Sequence, residues 1–307
     1  MERLEIFQQY RPLLFALSYR MLGSISEAED ILQEAWIRWQ ITSTIVKSPK
    51  AFLCSLTTRL CIDRLRYLRR EREKYIGLWL PEPLITQQDN LETLESLSYA
   101  FLVLLECLSP IERAVFILRE VFDYEYSYIA SIVHKSIPSC RQIFHRARKR
   151  IWQNQSEFNL SRQEQNLIVE QFIVAWNQGD LNKLLDLMTE DVTFYADGGG
   201  KVTAARKPLQ GQFKVARFLL AIKRSRLIPN FYSQTILVND KVGILNTIER
   251  QPQSVFSFHF IHNKISTIFA VVNPDKLKLD CYVLSIAIIF LCQTLNFETF
   301  HSRGYYF

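Results

Sequence analysis

The sequence predicts a multidomain fold of two all-α helical modules, the second built around a helix-turn-helix, followed by an α+β domain. Three observations predict it. Up to about Leu160 the chain reads as capped amphipathic helices with dense basic runs; beyond it those runs stop and aromatic, strand-like segments take over. Phe231 to Val238 and Val242 to Ile248 flank Asn239-Asp240, and Val255 to Ile261 and Ile265 to Val272 flank His262-Asn263, as the arms of hairpins flank their turns. At 307 residues the chain exceeds the usual size of one domain, and its 48% hydrophobic content is enough to bury real cores.

The first motif cluster runs from Tyr19 to Trp39. Ser26 and Glu29 have capping-box spacing, and Ala28, Ile31, Leu32, Ala35 and Trp39 give the buried face of the helix that follows. Glu27, Asp30 and Glu34 line another face. Acids in a first turn are favoured by the helix dipole, which accounts for Glu27 and Asp30 but not for Glu34. The strip Asp30, Gln33, Glu34 therefore reads as a docking surface, with a solvated face as the plainer alternative.

Ser48-Pro49 caps and starts the next helix, whose second half turns basic. Arg59, Asp63, Arg66 and Arg70 lie along one stripe with Arg64, Arg69 and Arg72 beside it, a rod of positive charge matched to the closely spaced phosphates of nucleic acid. From Tyr75 to about Asn90 the chain changes again. Pro81 and Pro83 impose an extended backbone on Trp79-Leu80-Pro81-Glu82-Pro83-Leu84. A passive spacer would be more polar, so this segment reads as an interaction strand.

Ser109-Pro110-Ile111-Glu112 is a capping box with proline at the first helical position, opening a helix through Phe116, Leu118 and Val121. Ser127 to Ile151 then reads as two short helices around a tight turn. In the second of them Cys140, Ile143, Phe144, Ala147 and Ile151 make one buried stripe, leaving Arg141, His145, Arg148 and Lys149 on the opposite face. Arginine's planar fork suits phosphates and the acceptor edge of guanine. A solvated basic helix is the plainer reading; three helices closing on a basic third one favour a DNA-binding module.

The formal net charge of +6 permits nucleic-acid binding without requiring it. The six cysteines form no CxxC pair and have no histidine at finger spacing, so neither a zinc site nor a disulfide framework is expected, and no cofactor. The charged start Met1-Glu2-Arg3 carries no apolar signal region, and a cytoplasmic location is expected.

Taken in order, the acidic DxxQE helix, the capped basic helix ending in DRLRYLRR, the linker and the capped helix-turn-helix ending in RQIFHRARKR resemble the extracytoplasmic-function sigma factors, group IV of the sigma-70 family. The resemblance implies two partners, core RNA polymerase and promoter DNA. It assigns Asp30, Gln33 and Glu34 to the clamp coiled coil of the polymerase largest subunit. The loop Ile41 to Lys47 and the basic helix, through Arg59, Arg64, Arg66, Arg69 and Arg70, would recognise and melt the −10 element. Arg141, Gln142, His145, Arg148 and Lys149 would read the −35 element. Three residues depart from the pattern. Phe52 stands where tryptophan is common, His134 holds a turn position usually given to glycine and must tolerate φ > 0, and Pro138 is acceptable only in a first helical turn.

In the third domain Leu167, Phe172, Ala175 and Trp176 mark a helix ending at Gln178-Gly179-Asp180, followed by a second helix from Leu181 to Met188, a strand from Val192 to Tyr195, and the hairpins of a curved antiparallel sheet. This opening resembles the SnoaL-like branch of the cone-shaped NTF2-like fold. With WLPEPL in the linker, Asp197-Gly198-Gly199-Gly200-Lys201 and Asn273-Pro274-Asp275-Lys276-Leu277, the chain from Leu4 to Leu277 resembles SigJ-type sigma factors that carry a fused SnoaL-like domain. The implied boundaries are 1–75 for region 2, 76–95 for the linker, 96–155 for region 4 and 160–277 for the SnoaL-like domain, with 278–307 an extension of open role.

That resemblance implies a regulatory contact among Trp79, Pro81, the Asp197 to Lys201 loop and the Asn273 to Leu277 segment, the third domain standing in for a separate anti-sigma protein. Three glycines let backbone approach closely or bind an anion, leaving room for a small-molecule ligand. Some SnoaL-like relatives are cyclases or isomerases, which draws attention to Asp191, Asp197, His259 and His262. His259 alternates with Phe256, Phe258 and Phe260 and so faces away from them, and His262 sits in a turn; no catalytic pair is expected, and no enzyme. The competing function is a DNA-binding regulator with a ligand-sensing or residual cyclase-type domain, for which the DxxQE helix would have no use. The apolar run Cys281 to Cys292 is shorter than the roughly 20 residues that span a bilayer, so no stable membrane span is expected.

Overall fold

Serines at the ends of extended stretches start most of the N-terminal helices. The structure, a computed structural model, describes residues 3–43, 46–86, 98–152, 160–225 and 231–278. Helix α1, Arg3–Leu22, ends at Gly23, whose φ of +67° breaks the helix. Ser24 is thereby left extended and caps α2, Ile25–Ile41, accepting the Glu27 amide at 3.4 Å. The start expected at Ser26 thus falls two residues earlier, because the stop signal of α1 sets it. Ser48 caps α3, Pro49–Arg72, and Ser109 with Glu112 forms a complete capping box on α5, Pro110–Phe116, after the short α4, Tyr99–Leu105. A π turn, Ile117–Val121, continues α5. The helix-turn-helix is α6, Tyr126–Val133, and α7, Ile137–Trp152; His134 between them adopts φ 51°, ψ 52°, the left-handed geometry demanded of that position.

The boundaries expected from sequence separate the first module from the helix-turn-helix, yet their apolar stripes meet in one core. Leu17, Met21, Cys61 and Leu65 of the first pack with Leu102, Phe116, Ile129 and Ile151 of the second. A second core, with Phe7, Leu14, Trp39 and Leu53 buried, is built from the first module, and Tyr124 of the second packs against it.

Among the described residues the third domain has three α-helices, α8 (Arg162–Gln178), α9 (Leu181–Leu187) and α10 (Gln212–Ser225), against a mixed sheet. The linker contributes β1, Ile85–Thr86; the domain supplies β2 (Met188–Asp197), β3 (Leu209–Gln210), β4 (Phe231–Val238), β5 (Lys241–Ile248), β6 (Gln251–Ile261) and β7 (Lys264–Val271), in the order β1-β4-β5-β6-β7-β2-β3. The sheet is not wholly antiparallel as the hairpins implied: β2 runs parallel to β7. The long path between them sets that direction, and side-chain alternation carries no trace of it.

Both expected turns take two left-handed residues, Asn239-Asp240 (φ 50°, 61°) and His262-Asn263 (φ 48°, 60°), the geometry that matches strand twist in two-residue hairpins. A third such turn, at Glu249-Arg250 (φ 50°, 66°), has no turn-forming residues to announce it. Phe172, Trp176, Phe194, Phe256 and Phe258 fill the space between the sheet and its helices, with the Trp176 indole donating to Leu219 O at 2.9 Å. This is the expected α+β domain, following two helical modules.

On the other sheet face Leu245, Val255, Phe269 and Val271 are covered by Leu80 of the linker, Tyr99 of α4 and Leu277. His259 contacts Ser266 Oγ at 2.9 Å, and burial pushes its imidazole below the ordinary value of 6.5. The folded chain therefore binds fewer protons here than the unfolded chain once pH falls below 6.5, and stability declines through that window. Melting temperature should fall as pH drops from neutral through and below 6.5, and His259→Gln should flatten the slope; an unchanged slope in the variant would remove His259 as its source.

Candidate nucleic-acid interface

Helix α7 presents the predicted face. Arg141, Gln142, His145, Arg148 and Lys149 are exposed, while Cys140, Ile143, Ala147 and Ile151 are buried and Phe144 stacks on Phe116 with centroids 5.9 Å apart. Arg146, exposed one turn beyond Gln142, joins this face and was missed, although the 3.6-residue period places it there. The Arg141 guanidinium lies 5.7 Å from the Tyr126 ring, and Arg150 pairs with Glu112 at 3.0 Å, which fixes α7 against α5.

On α2, Asp30 and Gln33 are exposed, and Glu34 accepts from Arg38 Nε at 2.6 Å one turn along. Glu27 does more than oppose the helix dipole. It takes both arms of Arg64, with Nη2 to Oε1 at 2.8 Å, and so ties α2 to α3.

Of the five cations expected along α3 to serve the −10 element, three are bonded to other protein groups. Arg64 is committed to Glu27, and Arg66 bonds Asp63 at 2.8 Å. Arg59 donates to Ser131 O (3.0 Å) and Ile132 O (3.2 Å), carbonyls that the end of α6 leaves without helical partners. Arg69 and Arg70 remain exposed. Arg72 turns inward, pairs with Glu106 and donates to Leu22 O at 3.0 Å. Of the loop Ile41 to Lys47, residues 44–45 lie outside the described residues.

The linker is a strap between the first module and the third domain. Asp197 is completely buried and accepts from four donors: the Tyr75 hydroxyl (2.6 Å), the Leu80 amide (2.9 Å), the Gly199 amide (3.0 Å) and Lys276 Nζ (2.7 Å). Lys276 also donates to Leu80 O and lies 4.2 Å from the Trp79 ring, which the Arg72 guanidinium approaches at 3.3 Å. Burial lowers the Lys276 pKa and Asp197 opposes the shift; burial, reinforced by Asp197, raises that of Tyr75. Asn273 Nδ2 donates to the Tyr75 hydroxyl at 2.9 Å.

The glycine loop meets the strap by close backbone approach. A Cβ on Gly199 would stand 2.4 Å from Asn273 Nδ2, and one on Gly200 would stand 3.0 Å from Ile76. Gly198 is buried, Lys201 pairs with Asp275 at 2.6 Å, Pro274 is exposed, and Leu277 packs with Leu80.

Farther along, the strap is stitched on both sides. The Glu82 amide donates to Gly23 O (2.8 Å), and its carboxylate takes the Ile25 amide (2.8 Å). Glu82 O accepts from the Tyr19 hydroxyl (2.7 Å), to which Asn239 Nδ2 donates (3.0 Å), and Leu84 exchanges backbone and side-chain bonds with Asn239. Buried Pro81 offers its carbonyl to the Tyr99 hydroxyl at 2.6 Å. Tyr19, Tyr75, Ile76, Glu82 and Asn239 were not recognised from sequence as contact residues of the strap, because pairs more than fifty residues apart leave no local pattern.

The residues weighed for acid-base chemistry are not assembled. Asp191 is exposed, Asp197 belongs to the strap node, His259 contacts Ser266, and His262 holds a hairpin turn. Among the described residues no group of three or more His, Cys, Asp or Glu side chains could hold a metal ion, and no helix is long and apolar enough to cross a membrane.

Comparison with known proteins places this geometry in context. Sigma-70 region 2 matches residues 6–71 and Sigma-70, region 4 matches residues 98–151. The chain is 31% identical over 286 residues to the ECF RNA polymerase sigma factor SigJ of Mycobacterium tuberculosis, covering 88% of this chain and 91% of the relative. It is 26% identical over 287 residues to the probable ECF RNA polymerase sigma factor SigI of the same species, covering 88% and 93%. The crystal structure of M. tuberculosis SigJ superposes with a TM-score of 0.73 at 30% identity, covering 89% of this chain and 97% of that one.

Proposed function

The chain belongs to the extracytoplasmic-function sigma factors of the sigma-70 family, and from that premise we propose that the arrangement described above is its closed state, held by the third domain through the strap. As an alternative sigma factor it binds core RNA polymerase and directs promoter recognition and transcription initiation. In the proposed division of labour α2 docks on the polymerase through Asp30, Gln33 and Glu34, α3 serves the −10 element, and α7 reads the −35 element. The protein supplies specificity and strand opening to the polymerase in the cytoplasm, with no covalent chemistry of its own.

One observation carries the closed-state reading: the two DNA-facing modules share a core, and Arg59 spends its donors on the helix-turn-helix. Elements named for positions −10 and −35 sit roughly 25 base pairs apart, about 85 Å of duplex. Modules fused in one core cannot straddle that span, so engagement requires them to part. The direct test places a fluorophore pair on Arg70→Cys and Lys149→Cys. Their separation should lengthen when core polymerase is added, and an unchanged separation in the holoenzyme would overturn the closed-state reading.

Two further outcomes test the surfaces. Asp30→Ala with Glu34→Ala should weaken core-polymerase capture while leaving the melting temperature near wild type, both side chains being at least partly exposed on a capped helix; undiminished capture would remove α2 from the docking surface. Arg141→Ala and Arg148→Ala should each weaken promoter binding. A lost bidentate base contact costs about 1–3 kcal/mol and relaxes base preference, whereas a lost phosphate contact weakens all sequences alike. Unchanged affinity in both variants would take α7 off the duplex.

A further inference from the structure

The strap and the third domain border a half-open cavity of about 300 Å³ beside the buried node. Its walls come from two sources: Ile76 and Gly77 of the strap, and the stretch from Ala196 to Arg206 of the domain. The loop closes tightly on itself, since a Cβ on Gly198 would stand 2.5 Å from Val202 O. Two cations, Lys201 and Arg206, line the cavity, and no carboxylate does. Lys201 shares Asp275, whereas Arg206 pairs with no carboxylate among the described residues. Ile76 and Val202, 59% and 39% exposed, supply an apolar wall, an arrangement a folded chain does not need for its own stability.

We propose that this cavity binds a small organic anion, its phosphate or carboxylate between Lys201 and Arg206 and its apolar part on Ile76 and Val202. The volume lies at the lower end of ligand sites and corresponds to roughly ten water volumes, hence to a compound of about ten non-hydrogen atoms. Because one wall belongs to the strap, the complete site exists only while the strap is seated. A ligand bound there favours the seated state in proportion to its saturation, by about a hundredfold at a hundred times its Kd. Resting on the closed-state reading, occupancy therefore lowers affinity for core polymerase.

Calorimetric titration of the full chain with phenyl phosphate and with benzoate tests the site, and the pair separates a phosphate from a carboxylate preference. At least one should bind saturably with a Kd at or below about 1 mM. Arg206→Gln and Ile76→Asp, both at exposed positions, should each weaken binding at least tenfold. The site is overturned if neither anion saturates, if both variants bind as wild type does, or if benzyl alcohol binds as tightly as the anions. Competition with core polymerase separates the two claims. If an aryl anion binds through Arg206 and Ile76 yet leaves core affinity unchanged, the site stands and the closed-state reading fails.

Discussion

Asp197→Asn is expected to release the strap and raise the fraction of the chain that captures core polymerase. The wild-type carboxylate is fully buried and shared among Tyr75, Leu80, Gly199 and Lys276, so it joins the linker, the glycine loop and the C-terminal end of the domain at one point. Neutralising it leaves the Lys276 ammonium, whose side chain is 12% exposed, without its counter-charge. Removing one partner of a buried pair costs about 3–5 kcal/mol, far more than the same pair would be worth at a surface. Burial already depresses the Lys276 pKa, and without Asp197 nothing nearby opposes that depression as strongly. Urea unfolding should report the stability loss, and pull-down with core polymerase the gain in capture. Tyr75→Phe, which removes the hydroxyl's bonds to Asp197 and from Asn273, each worth about 0.5–1.5 kcal/mol net, should move both readouts in the same direction by less. A variant that lost stability and yet captured no more polymerase would show that the strap does not restrain the modules.

Arg113→Ala should be comparably severe, at the seam between the two helical modules. The side chain is 3% exposed and donates to Met21 O (2.8 Å) at the end of α1 and to Leu105 O (3.0 Å) at the end of α4. Its guanidinium also stands 2.8 Å from Glu106 Oε1, the carboxylate that Arg72 shares from α3. Alanine would leave buried Met21 O without its donor, take one of two donors from Leu105 O, which keeps the Leu108 amide, and strand half of a charge cluster, for an expected loss of about 3–5 kcal/mol. Denaturant titration measures it directly. A loss below about 1 kcal/mol would mean that water replaces the guanidinium, and that the seam is wetter than its burial indicates.

Local signals made much of this legible. The caps at Ser48 and Ser109, the two faces of α7, the left-handed turn at His134 and the hairpins at Asn239-Asp240 and His262-Asn263 follow from residues within one or two turns of each other. Each rests on backbone preference or periodicity, and these act over that same short range. The motifs of the linker, the glycine loop and the Asn273 segment were legible as motifs, but the residues that join them were not all visible: Trp79 meets Arg72 and Lys276, while Tyr75 and Ile76 reach the glycine loop's surroundings.

The amino-acid sequence by itself determined which segments are helices and strands, which faces are apolar, and where the positive charge lies. Only the tertiary structure decided what those faces meet. An apolar stripe states that it must be buried and not against what, so the shared core of the two modules could not be read from either one. A guanidinium likewise accepts any acceptor of suitable geometry. Arg59 took the carbonyls at the end of α6 and Arg64 took Glu27, because folding brought those groups within reach, whereas the residues beside them in the chain announce only a basic helix. The parallel pairing of β2 with β7 and the burial of Asp197 have the same origin: each depends on partners dozens of residues away, placed by chain path and not by local preference.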